Sequence, residues 1–118
     1  MKKFVAVFTG TPTSPPRLNW DKLDAATRKT REAAGMKAWG DWMVKHKSSV
    51  VEQGGPLGKT TRVSTQGSAE VSNNLAAYVV VQADSKEAAA RLFENHPHFT
   101  IFPGEAVEIM EILPIPNQ

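Results

Sequence analysis

The chain has 118 residues, 41% of them hydrophobic, with 14 basic against 12 acidic side chains, a net charge of +2 and no cysteine. That length suits one domain, spanning 1–118, with a core of its own. The even charge balance, with no basic run longer than Lys2-Lys3, excludes a nucleic-acid footprint, and the missing cysteines exclude disulfides, thiolate nucleophiles and zinc–thiolate sites.

Lys3 to Thr9 is short, β-branched and aromatic, apolar on both faces, and reads as a buried strand. It is too short for a signal-peptide core, and nothing approaches the roughly 20 apolar residues of a membrane span. The expectation is a soluble cytoplasmic protein with no membrane and no nucleic-acid partner. Gly10 to Leu18, with Pro12, Pro15 and Pro16, reads as loop. Asn19 is a plausible N-cap for a first, peripheral helix that carries Trp20, Leu23, Thr27, Thr30 and Ala34 and stops at Gly35.

The central helix is read from Met36 to Gln53. Met36, Trp39, Met43, His46 and Val50 recur at helical spacing on one face, with Trp42 beside them, and Gly54-Gly55-Pro56 as the stop. The apolar arc is wider than a helix on a sheet needs. Leu57 to Thr65 suits an edge strand, Gln66 to Asn74 a turn, and Leu75 to Ala83 a strand apolar on both faces. Asp84 or Ser85 caps a helix over Lys86 to Asn95, which His96-Pro97 ends. His98 to Gly104 reads as loop and Ala106 to Leu113 as a terminal strand. The order is βαββαβ, an α+β ferredoxin-like sheet with helices on one face. The other face is apolar too, so two chains are expected to close their sheets on each other as a homodimer.

Gly54 to Thr60, GGPLGKT, is no phosphate loop: its glycine spacing is one short, and a helix precedes it where the mechanism needs a strand. His96-Pro97-His98 has a chelating spacing in extended backbone, yet no third ligand is fixed, so no metal and no cofactor are assigned. The alternative for both rings is capping or core packing. His46 beside the tryptophans can serve as a general base or as a hydrogen-bonded histidine at the core edge, and Asp41 lies on the wrong side of the helix to orient it. Trp39 and Trp42 can wall an apolar pocket or simply pack.

The chain resembles the YCII-related (DGPF-type) family. The likeness runs through the Lys3 strand, the W-x-x-W helix ending in GGPLG, the segment TQGSAEVSNNLAAYVVVQADSKEA, His96-Pro97 and the closing VEIMEILPI. The resemblance implies a dimeric α+β barrel with a cleft near the long helix and the dimer interface. Some members of that family are proposed enzymes with a His–Asp dyad, and one type acts in chloroaromatic breakdown. Here the early helix positions hold Ala38 and Trp39, and Gln66 stands where the turn's Asp would be, so a base has to lie elsewhere. The expected function is binding of a small, partly apolar organic molecule, with Trp39, Trp42, Phe8 and His46 around it and His96 and His98 at the mouth. His46 or His98 would move a proton in a lyase- or isomerase-type step. The alternatives are a cofactor-free or metal-assisted oxygenase, by analogy of fold, and a non-catalytic dimeric accessory or ligand-sensing module.

Overall fold

The computed structural model describes residues 1–116. In chain order they form β1 (Lys2–Thr9), α1 (Pro15–Asp21), α2 (Ala25–Lys45), β2 (Val50–Pro56), β3 (Thr60–Ser64), β4 (Gly67–Val71), β5 (Leu75–Ala83), α3 (Lys86–Arg91), α4 (Pro97–Thr100) and β6 (Ala106–Glu111). The main sheet is antiparallel with order β2-β5-β1-β6, and β3-β4 form a separate hairpin. This is the ferredoxin-like βαββαβ arrangement, with the hairpin inserted between its second and third sheet strands.

The central pair is β1 and β5, in register from Lys2 opposite Ala83 to Phe8 opposite Ala77. Alternation sends Phe4, Ala6 and Phe8 to the same side as Ala77, Val79 and Val81, and all six are buried there. Trp42, Ala89 and Phe93 cover that side, with Val107 and Ile109 of β6 packed at its margin. The terminal segment is therefore a strand, as its β-branched residues suggested.

Several boundaries move. Asn19 is not a cap. Ser14 caps α1, accepting from the Arg17 N–H at 3.3 Å, and Pro15-Pro16 occupy the first helical positions, where a missing N–H costs nothing. Asp24 then caps α2, accepting from Thr27 N–H at 2.7 Å. Gly35 does not end a helix, because α2 runs straight through it. A Cβ there would collide with the Phe102 ring, so the glycine serves close packing rather than a turn. The helix ends at Lys45, with His46 as its C-cap. Val50 to Pro56, read as helix tail and stop, is instead the edge strand β2. Its β-branched pair Val50-Val51 outweighs the helical spacing once β5 offers a ladder. The Leu57 to Thr65 stretch holds the first arm of the hairpin, and the expected turn over Gln66 to Asn74 holds β4. The helix expected over Lys86 to Asn95 is regular only to Arg91, capped by Ser85, and the loop after His96 contains the single turn α4.

β2 pairs with β5 irregularly, slipping register between Val50 and Glu52 and again between Glu52 and Gly55. Gly54 carries the second slip with φ of 62°, and a Cβ on it would strike the Tyr78 carbonyl oxygen. Gly40, in mid-α2, has nothing within 4 Å of its missing Cβ. Opposite stability effects follow. Gly54→Ala should lower the unfolding free energy by about 2 kcal/mol or more. Gly40→Ala should raise it by about 0.5–1 kcal/mol, because helix entropy improves and no clash arises. Urea denaturation of both variants beside the parent measures each shift.

Candidate functional site

Between α2 and the β2–β5 half of the sheet lies an open cavity of about 590 Å³. Trp39, Trp42, Met36 and Met43 form its helix wall, and Phe8 and Ala77 its sheet wall. Gln53, Gly54, Gly55 and Pro56 frame it along β2, where the register slips draw the strand away from regular pairing. No Lys, Arg, Asp or Glu is among the lining residues, so the surface is aromatic, thioether and backbone. The size falls within the roughly 300–1,000 Å³ typical of small-ligand sites.

His98 reaches this cavity from α4. Its side chain is fixed by the Thr9 carbonyl, 2.8 Å from Nε2. A carbonyl only accepts, so Nε2 bears the proton and Nδ1 keeps the ring's lone pair while the imidazole is neutral. Gly104 leaves the space that the ring occupies, since a Cβ at that residue would collide with it. Burial pushes the His98 pKa down, against the opposing pull of the Thr9 and Ala106 carbonyls.

His96 sits behind the cavity wall. It is fully buried, with ring centroids 4.5 Å from Trp39, 5.0 Å from Trp42 and 5.0 Å from Phe8. Asn95, in the left-handed region at φ 59°, turns the chain into this position. Nδ1 of His96 accepts the His98 backbone N–H at 3.0 Å and so caps α4. That bond places the ring proton on Nε2, which is buried with no hydrogen-bond partner among the described residues. Burial first, then the neighbouring His98 and His46, push its pKa down to about 4. Trp42 is satisfied, its indole N–H donating to the Leu92 carbonyl at 2.8 Å.

The structure thus brings Phe8, Trp39, Trp42 and His98 together on one cavity. His98 is buried and lines the cavity, while His96, also expected beside the ligand, is buried and is not among the lining residues. Proline at the first position of α4 and the His96 cap fold the His-Pro-His run into a helical turn, so the extended chelating geometry does not form. His46 packs against Trp42 with its ring tilted, 4.9 Å between centroids, and is not among the lining residues. Partial burial and Lys45 lower its pKa. Among the described residues no group of three or more His, Cys, Asp or Glu converges as a metal-ligand set. Sequence reasoning passed over Gly40, Tyr78 and Phe102. Gly40 was the detectable one, a glycine between two tryptophans in mid-helix where alanine is otherwise favoured.

No protein-family model matches the chain, and no curated protein matches it. Among solved structures it is similar to 5-chloro-2-hydroxyhydroquinone dehydrochlorinase (TftG) from Burkholderia phenoliruptrix AC1100, in complex with 2,5-dihydroxybenzoquinone. The TM-score is 0.51 at 16% identity, over 92% of this chain and 90% of that one. The shared property is the fold, a ferredoxin-like α+β architecture. No helix among the described residues is long and apolar enough to cross a membrane.

The depressed His96 pKa carries a sign for stability. The unfolded chain takes up this proton near the ordinary 6.5, the folded chain only near 4. Between those values the unfolded state binds more protons, so stability is complete above about pH 6.5 and falls as pH drops towards 4. The loss should be on the order of 2 kcal/mol after allowance for solvent screening, with His98 adding in the same direction. His96→Asn keeps a side-chain acceptor for the His98 N–H but cannot titrate. Urea melts at about pH 7 and about pH 5 should show a smaller drop in that variant than in the parent.

Proposed function

We propose that this chain works as a two-fold dimer that takes a small, neutral, partly apolar organic molecule into the cavity beside α2, and that His98 moves a proton on it in a lyase- or isomerase-type step. The observation that carries this reading is the pairing of an uncharged aromatic cavity with one buried, oriented imidazole. An apolar lining free of ionised side chains suits an uncharged ring and penalises a carboxylate or phosphate, which would be desolvated without a partner. His98 offers Nδ1 as an acceptor, with its tautomer held by Thr9. A lowered pKa keeps that nitrogen unprotonated near neutral pH, the state a general base requires. The proton leaves an O–H or C–H of the ligand, resides on Nδ1, and returns to another atom of the same molecule or to its leaving group. The likeness in fold to a dehydrochlorinase with a bound dihydroxybenzoquinone supports the choice of an oxygenated ring as first probe.

The dimer reading rests on the other side of the sheet. Val5, Val7, Tyr78, Val80 and Met110 share the face opposite the core, with Glu108, Gln82 and Lys3 towards its margins, by the β1–β5 and β1–β6 registers. The buried cluster with its covering helix side chains lies on the opposite side. An apolar face of this extent is the kind that a second copy covers. Val7→Lys combined with Met110→Lys should break the contact through this face and lower the sedimentation coefficient. An unchanged sedimentation coefficient would remove the dimer through this face.

Titrating hydroquinone, an oxygenated ring that is uncharged at neutral pH, against tryptophan fluorescence tests the cavity. Quenching should saturate in the parent, and Gly40→Leu, which fills the cavity from α2, should weaken binding by about tenfold or more. Saturation unaltered by Gly40→Leu would place the ligand elsewhere. For any ring compound that the protein turns over, His98→Gln should cut the rate by about 10²–10⁴ with binding kept within a few-fold. Turnover unaffected by that change would remove the role of His98, and binding of ring compounds with turnover of none would leave a ligand-sensing module.

A further inference from the structure

We infer that the β3–β4 hairpin is a pairing arm, and that two copies of this chain join through the free edge of β4. This inference stands apart from the cavity and from the apolar sheet face. Every residue of the hairpin strands except Thr60 is exposed, and no residue from 67 to 71 makes a backbone hydrogen bond outside the hairpin. A two-stranded hairpin standing in water is marginally stable alone and gains from further strands.

The four outer edges differ in how they are guarded. β2 is broken by two register slips and ends in Pro56. β6 carries Glu108 and Glu111, with Pro114 beyond it. β3 carries Arg62, with Lys59 just before it. β4, Gly-Ser-Ala-Glu-Val, has no lysine, proline or register slip. Its one charge, Glu70, is turned back across the hairpin to accept from the Thr61 hydroxyl at 2.9 Å. Charges, prolines and bulges are the usual protections of an edge; β4 has no proline or bulge, and its one carboxylate is engaged by Thr61.

Self-pairing chooses between the two strands of the arm. Antiparallel pairing of β4 with a second β4 about Ala69 sets Ala69 opposite its own copy, Ser68 opposite Glu70, and Gly67 opposite Val71. No like charges face each other. The same operation on β3 about Arg62 sets two guanidinium groups directly opposite, which is unfavourable. Pairing β3 with a second β4 has no two-fold symmetry and propagates into open stacks rather than a closed dimer. Two bases, Lys59 and Arg62, and one acid, Glu70, give the arm too small a positive charge for a nucleic-acid surface.

The chain has no cysteine, so single thiols report on this contact without interference. Ala69→Cys and Arg62→Cys are made separately in the full chain; both sites are exposed, on neighbouring strands of one arm. In the β4 pairing the two Ala69 Cα atoms lie about 4.5–5.5 Å apart, inside the span of a disulfide. Mild oxidation followed by a non-reducing gel should give covalent dimer from Ala69→Cys at several times the rate from Arg62→Cys. Adding Ser68→Glu to Ala69→Cys sets a carboxylate opposite Glu70 of the second copy and should slow the reaction several-fold. Equal rates at the two sites, or a rate indifferent to Ser68→Glu, would overturn the inference.

Discussion

Phe8 is the side chain on which the interior depends. It stands on β1, one of the two central strands, and is 1% exposed. Its ring lies 5.0 Å from Trp39, 6.0 Å from Phe93, 5.0 Å from His96 and 5.1 Å from His98. One residue therefore joins the sheet to α2, to the turn after α3 and to α4. Offset and edge-to-face ring contacts of this kind add to simple burial and fix orientation as well as distance. The same ring is a wall of the cavity, so packing and binding surface meet in one side chain.

That arrangement places two imidazoles in apolar surroundings, where the charged form is disfavoured. Each is given a defined tautomer by a backbone group. His96 accepts an N–H, so its proton is on Nε2, and His98 donates to a carbonyl, so its lone pair is on Nδ1. The two are coupled through the His98 backbone, because the bond that caps α4 also sets where the His98 ring begins. The unpartnered Nε2–H of His96 is the energetic cost of the arrangement, eased only by the π faces around it. A single turn of helix thus carries both the cap and the candidate base.

The sheet meets its surroundings in three ways. One face holds the core and the cavity. The other carries Val5, Val7, Tyr78 and Met110 beside Glu108, Gln82 and Lys3. The edges of the main sheet are guarded by slips, charge and proline, while the β4 edge of the hairpin has neither slip nor proline. The cavity is lined along β2 by Gln53 to Pro56, where Gly54 permits the strand to depart from regular pairing. A regular β2 would bring the strand against β5 along its full length and narrow the cavity.

Local sequence determined the strands with the strongest β character and the fold class. Lys3 to Thr9 and Leu75 to Ala83 are apolar on both faces and β-branched, so no competing period existed, and the βαββαβ order followed. It also marked Trp39, Trp42 and Phe8, because large apolar rings near a central helix have few other places to go. Only tertiary structure decided the rest. Val50 continues the helical spacing of Met36, Trp39 and Met43, and nothing local reveals that β5 waits to pair with it. Gly35 resembles a helix end until Phe102, distant in sequence, is seen to fill the space of its missing side chain. Sequence placed His46 on the central helix and His96 and His98 as a closely spaced pair, but not which of them is buried. The fold buries His96, turns His98 to the cavity and leaves His46 against Trp42 and off the cavity lining, because burial and hydrogen-bond partners are properties of contacts between distant segments and not of the residues themselves.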